Sequence, residues 1–334
     1  MYNNWMSIRQ IPKSPSANNA PTSLTLITIL LWSFGSLLSR LVAIQSQFVL
    51  LSLSFFFSFS IMLIHVLLSK EITLASFRKI PAAYLLIGPL GYFVYSVAIT
   101  QSSRAFDSIS ETTILNNTWP VFTVLFADLF LIKTRKPKAI RCVEALGILL
   151  SFLSVVILVS GGNFASLQLE IRGILWGLLA GISYGLFGAY SGVINRDEQK
   201  VFLLTAIALS LLLISVPALI ESRHTNPLTV LDIVVAFSMG ALLDGLGYIL
   251  WTSAIRLSKE RKAQVSTIAS LMFFLPFINL AIVRFVLDEQ QLYQPYFILS
   301  LVLILASTYL IQKATPIAKH LSGFIHYKTK PKTG

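Results

Sequence analysis

The sequence predicts an all-α integral membrane protein, with ten transmembrane helices arranged as two inverted five-helix repeats. Two observations carry this. Of 334 residues, 55% are hydrophobic and only 12% charged, and the mean hydropathy is +0.76, values outside the range of soluble globular domains. The segment GYFVYSVAI at 91–99 also returns as GYILWTSAI at 247–255, an offset of 156 from Gly91 to Gly247. At that offset Pro120 falls on Pro276, Leu115 on Leu271, Ser110 on Ser266 and Ser102 on Ser258, without a gap.

Crossing a hydrocarbon core about 30 Å thick takes roughly 20 apolar residues. Such stretches lie at 22–44, 48–69, 82–101, 108–132 and 142–160, then at 173–194, 200–220, 231–255, 263–287 and 294–313. Residues 1–21 form an N-terminal tail, 22–160 the first repeat, 161–171 a linker, 172–314 the second repeat and 315–334 a basic tail. An odd number of spans per copy makes the second copy enter the bilayer from the opposite side. Gln45 to Gln47 join the first two spans so tightly that these must be antiparallel neighbours.

Orientation follows from the basic residues, because short loops rich in them stay cytoplasmic. The tails and the even-to-odd loops hold all of the 26 Lys and Arg residues except Arg40, Arg104, Arg172, Arg223 and Arg284. Both termini are predicted cytoplasmic. This distribution accounts for the net charge of +12 without nucleic acid, and Lys319, Lys328, Lys330 and Lys332 are expected to lie against anionic lipid headgroups. The lone Cys142 has no partner for an internal disulfide. The polar first 21 residues precede an apolar stretch too long for a signal peptide, so the first span is expected to be retained.

Polar residues inside lipid read as functional by default. Asp244, Tyr248 and Trp251 fall at i, i+4 and i+7 of the eighth span, on one face of an α-helix. Their counterparts in the third span are Gly88, Tyr92 and Tyr95. Two such stripes facing each other would line a cavity with flat apolar walls. For Asp244 two readings stand: a structural carboxylate, or a proton carrier. Pro120 and Pro276 are expected to kink the fourth and ninth spans and to free the carbonyls of Asn116 and Met272. Glu111, Asn116, Asn117, Thr118 and Trp119 make the densest polar group of any span, and Asn116 and Trp119 are candidate cavity residues. Asp128 and Arg284 occupy equivalent positions, which inversion places on opposite membrane faces, so they are not expected to pair.

In the sixth span, Gly173, Gly177, Gly181 and Gly185 recur every four residues, a pattern for close helix approach. The same stretch contains GISYG, which matches a nucleophile-elbow pattern by letter. That motif needs a strand-to-helix turn and a partnered histidine, whereas Ser183 is mid-helix and His65 lies near the end of another span. No P-loop, HExxH or cysteine-histidine cluster occurs. An enzyme, a metal and a cofactor are therefore not expected.

The ten-span plan, LWSFGSLLSR at 31–40 and ETTILNNTWPVFTVLFADLF at 111–130 resemble the EamA-type drug/metabolite transporter superfamily. Within it the fourth span looks most like the bacterial aromatic amino acid exporters, whose motif reads Asn-Tyr-Leu-Trp-Pro. Asn116, Trp119 and Pro120 match it, as do Tyr248, Trp251 and Trp32, while Asn117, Thr118 and Asp244 depart from it. Small multidrug exporters of the superfamily carry an acid in the first helix, and residues 22–44 have none. The resemblance implies a secondary transporter in a bacterial cytoplasmic membrane, exporting small metabolites, above all aromatic or hydrophobic amino acids, by alternating access. Its site would be made by the first, third, fourth, sixth, eighth and ninth spans, with Trp32, Tyr92, Tyr95, Glu111, Asn116, Trp119, Tyr184, Asp244, Tyr248 and Trp251 as substrate-binding residues. Export of hydrophobic drugs or amphiphiles and a non-transporting membrane sensor are the alternatives. The expected partners are a small-molecule substrate and membrane lipids.

Overall fold

The computed structural model describes residues 20–44, 46–69, 80–107, 109–130, 138–159, 170–194, 196–260, 271–272, 274–288 and 294–320. Every regular element among them is helical. Most of both tails, most of the linker, and Lys133, Arg135, Lys136, Arg261, Lys262 and Ser266 lie outside the described residues. So do the side chains of Pro120, Asp128 and Pro276.

The first half comprises α1 (Ala20–Trp32), α2 (Gly35–Ile44), α3 (Gln47–Ser69), α4 (Ala82–Ala105), α5 (Ile109–Asn116), α6 (Trp119–Phe130) and α7 (Lys138–Val159). The second comprises α8 (Ile171–Val193), α9 (Arg196–Ser222), α10 (Val230–Phe237), a π-helix (Ser238–Gly247), α11 (Tyr248–Glu260), α12 (Phe274–Leu287), α13 (Pro295–Gln312) and α14 (Ala314–His320).

Among the described residues, seven helical stretches are long and apolar enough to cross a membrane: Ala20–Val42, Gln47–Ser69, Ala82–Ala105, Ala139–Leu158, Ile171–Ser191, Glu198–Ser222 and Val230–Leu257. They coincide with the expected spans one, two, three, five, six, seven and eight. The α13–α14 pair, bent by 74°, makes an eighth if counted as one span. Large apolar side chains stand outward along these helices, among them Leu67 (68% exposed), Leu68 (76%) and Val216 (62%). On helices this apolar, that surface suits acyl chains rather than water. The chain is an all-α, multi-pass membrane protein.

The fourth span departs from expectation, because α5 and α6 are separated by a turn at Asn117 and Thr118. Local side chains compete with the helix ladder there. Asn117 Nδ2 and N both donate to Thr113 O (2.7 and 3.1 Å), and Thr118 Oγ1 and N both donate to Leu115 O (2.7 and 3.2 Å). Pro120 therefore sits in the first turn of α6, where a missing N–H costs nothing, and kinks no continuous helix. Pro276 likewise lies in the first turn of α12. Its expected free carbonyl is in use, since Met272 O accepts from Leu275 N at 3.1 Å.

Polar residues tie the helices together. Arg40 on α2 donates to three carbonyls at the C-terminal end of α4: Ser103 O, Phe106 O (2.9 Å) and Asp107 O (3.1 Å). The charge meets the negative end of that helix dipole. Glu221 on α9 accepts from Val49 N in the first turn of α3 (2.9 Å), fixing the two helices antiparallel. Ser154 and Ser300 each donate to the other's carbonyl, at 2.7 and 2.8 Å, and clamp α7 to α13. Thr229 and Asp232 form a reciprocal cap at the start of α10.

The α8 glycines face neighbouring helices as their spacing predicts. A methyl group on Gly177 would meet Leu115 at 2.8 Å, and one on Gly185 would meet Thr123 N at 2.9 Å. The helix thus lies directly on the α5–α6 break. Gly240 approaches still closer, with the backbone of Ser54 where its Cβ would be. Arg284 pairs with Asp288, one turn along its own chain.

Candidate functional site: an aromatic cavity where helices break

Among the described residues, seventeen line a cavity of about 80 Å³. Holding one water takes roughly 10–15 Å³ on this measure, so there is room for several waters or a small organic group. The lining is drawn from six expected spans: Trp32, Gly35, Ser36 and Ser39; Tyr95, Ser96 and Ile99; Asn116, Asn117 and Trp119; Tyr184; Met239, Leu243, Asp244 and Tyr248; Leu275 and Asn279. These are the first, third, fourth, sixth, eighth and ninth.

Helix interruptions converge on this cavity. The first span breaks at Ser33 and Phe34, between Trp32 and Gly35. Ser33 Oγ donates to Ile29 O at 2.6 Å, a back-bond of the kind that bends helices. The fourth breaks between Asn116 and Trp119, and α12 begins one residue before Leu275. The eighth is rewound as a π-helix over ten residues, a winding that is rare and frequent at functional sites. The sequence reading phased Asp244, Tyr248 and Trp251 on an α-helix. The wider i→i+5 turn instead brings Met239, Leu243, Asp244 and Tyr248 to the lining and leaves Trp251 behind them.

Two aromatic walls result. Trp32 meets Tyr248 with ring centroids 5.4 Å apart at 63°, and Trp251 backs Trp32 at 6.2 Å. Opposite, Tyr184 stands 5.0 Å from Tyr95 and 5.2 Å from Trp119, the latter at 88°. The Tyr184 and Tyr248 side chains approach each other where the walls meet. Trp32 Nε1 donates to Leu243 O at 3.0 Å, and its indole ring occupies the space that a methyl on Gly247 would need.

Seven of the ten residues singled out in the sequence line the cavity: Trp32, Tyr95, Asn116, Trp119, Tyr184, Asp244 and Tyr248. Tyr92 lies behind the wall, 3% exposed, with its ring 6.4 Å from Tyr248. Its hydroxyl donates to Ser58 Oγ at 3.2 Å and lies beside the Asp244 carboxylate. The third-span and eighth-span stripes therefore touch. Gly88, the counterpart of Asp244, instead gives close passage to Ala206, 2.8 Å from its would-be Cβ. Glu111 is on α5, one helical turn and more away from Asn116, and is not on the lining.

Asn279 is the residue that sequence reasoning missed most clearly. It is polar in the middle of the apolar run FLPFINLAIV, the same signal that marked Asp244. Both Asn116 Oδ1 and Asn279 Oδ1 are buried with no hydrogen-bond partner among the described residues. Ser36 and Ser39 lie beyond the Ser33–Phe34 break, which hides their relation to Trp32.

No protein-family model and no curated protein matches the chain. A solved structure described only as "Crystal structure of protein" is similar in fold, with a TM-score of 0.58 at 18% sequence identity. The match covers 91% of this chain and 99% of that one. At this identity the likeness concerns the fold alone.

Proposed function

We propose that this protein is a secondary transporter that moves a small metabolite across a membrane by alternating access around the central cavity. The observation that carries the reading is the convergence of broken or rewound helices on one aromatic-lined hollow between the spans. Discontinuous membrane helices of this kind build the substrate sites of secondary transporters, because unwound backbone is tolerated in lipid only where it lines a cavity.

Within that proposal the chain is two inverted five-helix repeats spanning the membrane ten times, with both termini cytoplasmic. A supporting feature is that a turn at Asn117 and Thr118 divides the fourth span and a turn at Met272 precedes α12, close to the same sequence offset. The repeats rock about the fixed cavity and open it to one side at a time. Trp32, Tyr95, Trp119, Tyr184 and Tyr248 clasp a flat apolar body, and Asn116, Asn279 and Asp244 meet its polar group. Tyr92 positions Asp244. In keeping with the resemblance, the reading places the protein in a bacterial cytoplasmic membrane, with small apolar or aromatic metabolites leaving the cell.

Reconstitution into liposomes, with flux of labelled aromatic amino acids and related amines followed with and without a pH gradient, tests this. Flux that Trp119→Ala abolishes is expected. Binding without flux of any compound would favour the sensor reading instead.

A further inference from the structure

We infer that the cavity selects the protonated amine of an organic cation with a flat apolar body, over a zwitterionic amino acid or a carboxylate. This rests on the transporter reading and narrows its substrate. Three independent properties of the lining lead there.

The first is charge. Among the described residues, Asp244 is the one carboxylate of the lining, and no Lys, Arg or His lies on it. Its described neighbour is the neutral Tyr92 hydroxyl. Carboxylates within membrane helices are rarely left without a partner, and a ligand ammonium supplies a counter-charge that the described lining does not.

The second is hydrogen-bond polarity. Asn116 Oδ1 and Asn279 Oδ1 are both acceptors, as is the Asp244 carboxylate. Of the cavity's donors, the Trp32 indole N–H is in use on Leu243 O. An ammonium carries three donors and no acceptor. It matches these three acceptors, whereas a carboxylate, which only accepts, meets them as like atoms and finds only neutral donors, such as the Trp119 indole and the Ser36 and Ser39 hydroxyls.

The third is the aromatic surround. A cation is attracted to ring faces within about 6 Å. The paired rings stand at 63° for Trp32 with Tyr248 and at 88° for Trp119 with Tyr184, so the walls are angled as in a cage rather than stacked flat. A zwitterion gains the same contacts at its amine but brings a carboxylate that must be desolvated without a partner cation.

Three probes sharing one ring separate these cases: phenethylamine, phenylalanine and 3-phenylpropionate, titrated calorimetrically into the purified full-length protein in detergent. Phenethylamine is expected to bind at least tenfold more tightly than phenylalanine, and 3-phenylpropionate not at all. Asp244→Asn and, separately, Asn279→Leu are each expected to reduce phenethylamine affinity at least tenfold and to narrow its lead over phenylalanine. Size-exclusion profiles check that each variant is folded, and either variant alone suffices.

Equal or tighter binding of phenylalanine or 3-phenylpropionate, no binding of any probe, or an unchanged preference in both variants would overturn the inference. Flux of phenylalanine in liposomes without an amine preference sinks this inference and leaves the transporter reading standing. Phenethylamine binding without flux does the reverse.

Discussion

Trp32 holds the broken first span against the rewound eighth: its indole nitrogen donates to the main-chain carbonyl of Leu243 at 3.0 Å. Trp32→Phe keeps a ring at the wall but leaves that carbonyl without its indole donor. A loss of about 1 kcal/mol in stability is expected, read as a lower midpoint in a denaturing-detergent titration. An unchanged midpoint would mean that the contact contributes nothing.

Gly240 and Gly188 form a matched pair for testing helix approach. A methyl group on Gly240 runs into the backbone of Ser54, while one on Gly188 meets Thr123 at an ordinary 3.4 Å. Gly240→Ala should cost about 1–3 kcal/mol, as overpacking does. Gly188→Ala should be neutral or slightly stabilising, because alanine outranks glycine in helices. Equal effects in the same titration would refute the close approach.

Arg40 caps α4 through three main-chain carbonyls, and hydrogen bonds to a charged group contribute about 1.5–3 kcal/mol. Arg40→Ala should destabilise by that order. Arg40→Lys should recover only part, because an ammonium lacks the fork that reaches several acceptors at once. Full recovery by lysine would point to charge alone.

Asn279 separates stability from function. Its side-chain oxygen is buried without a hydrogen-bond partner among the described residues, so Asn279→Leu removes an unmet group and should leave the denaturation midpoint unchanged or raise it. Transport, measured as flux in liposomes, should fall at least tenfold. A variant that loses stability along with flux would make Asn279 a structural residue.

Cys142 is the single cysteine of the chain and is exposed near the start of α7. In the proposed topology a membrane-impermeant maleimide should label it in inside-out vesicles and not in intact cells. Labelling from outside would reverse the orientation.

Much of this arrangement was legible in the sequence, and the reasons differ by feature. Composition and apolar length mark ten spans, and seven of them recur as helices long enough to cross among the described residues, because both signals follow directly from the thickness of the bilayer. The four-residue glycine spacing of α8 gives its packing face, since small side chains decide how near two backbones come. Asp244, Asn116 and Trp119 stand out because polar and aromatic groups away from the interface are rare. What the sequence hid was winding. Nothing in LNNTWP separates a proline kink within one helix from two helices joined by a turn, because Pro120 suits either. The π-helix is equally silent in the letters, and assuming ordinary periodicity put Trp251 on the lining in place of Met239 and Leu243. Asn279 was overlooked for want of a neighbouring polar group.

The glycine-containing π-helix makes the lining depend on counting as well as chemistry. An i→i+5 turn takes in one residue more than an ordinary turn. Excising a single residue between Ser238 and Gly247 removes that surplus, so the stretch can rewind as α with the residues after the cut, Tyr248 among them, close to their present facing. The same excision in the ordinary turns of α11 has no surplus to give up and swings everything after the cut by about 100°. A one-residue deletion scan along the eighth span, scored by flux, would therefore be tolerated better inside the wide turn than beyond it.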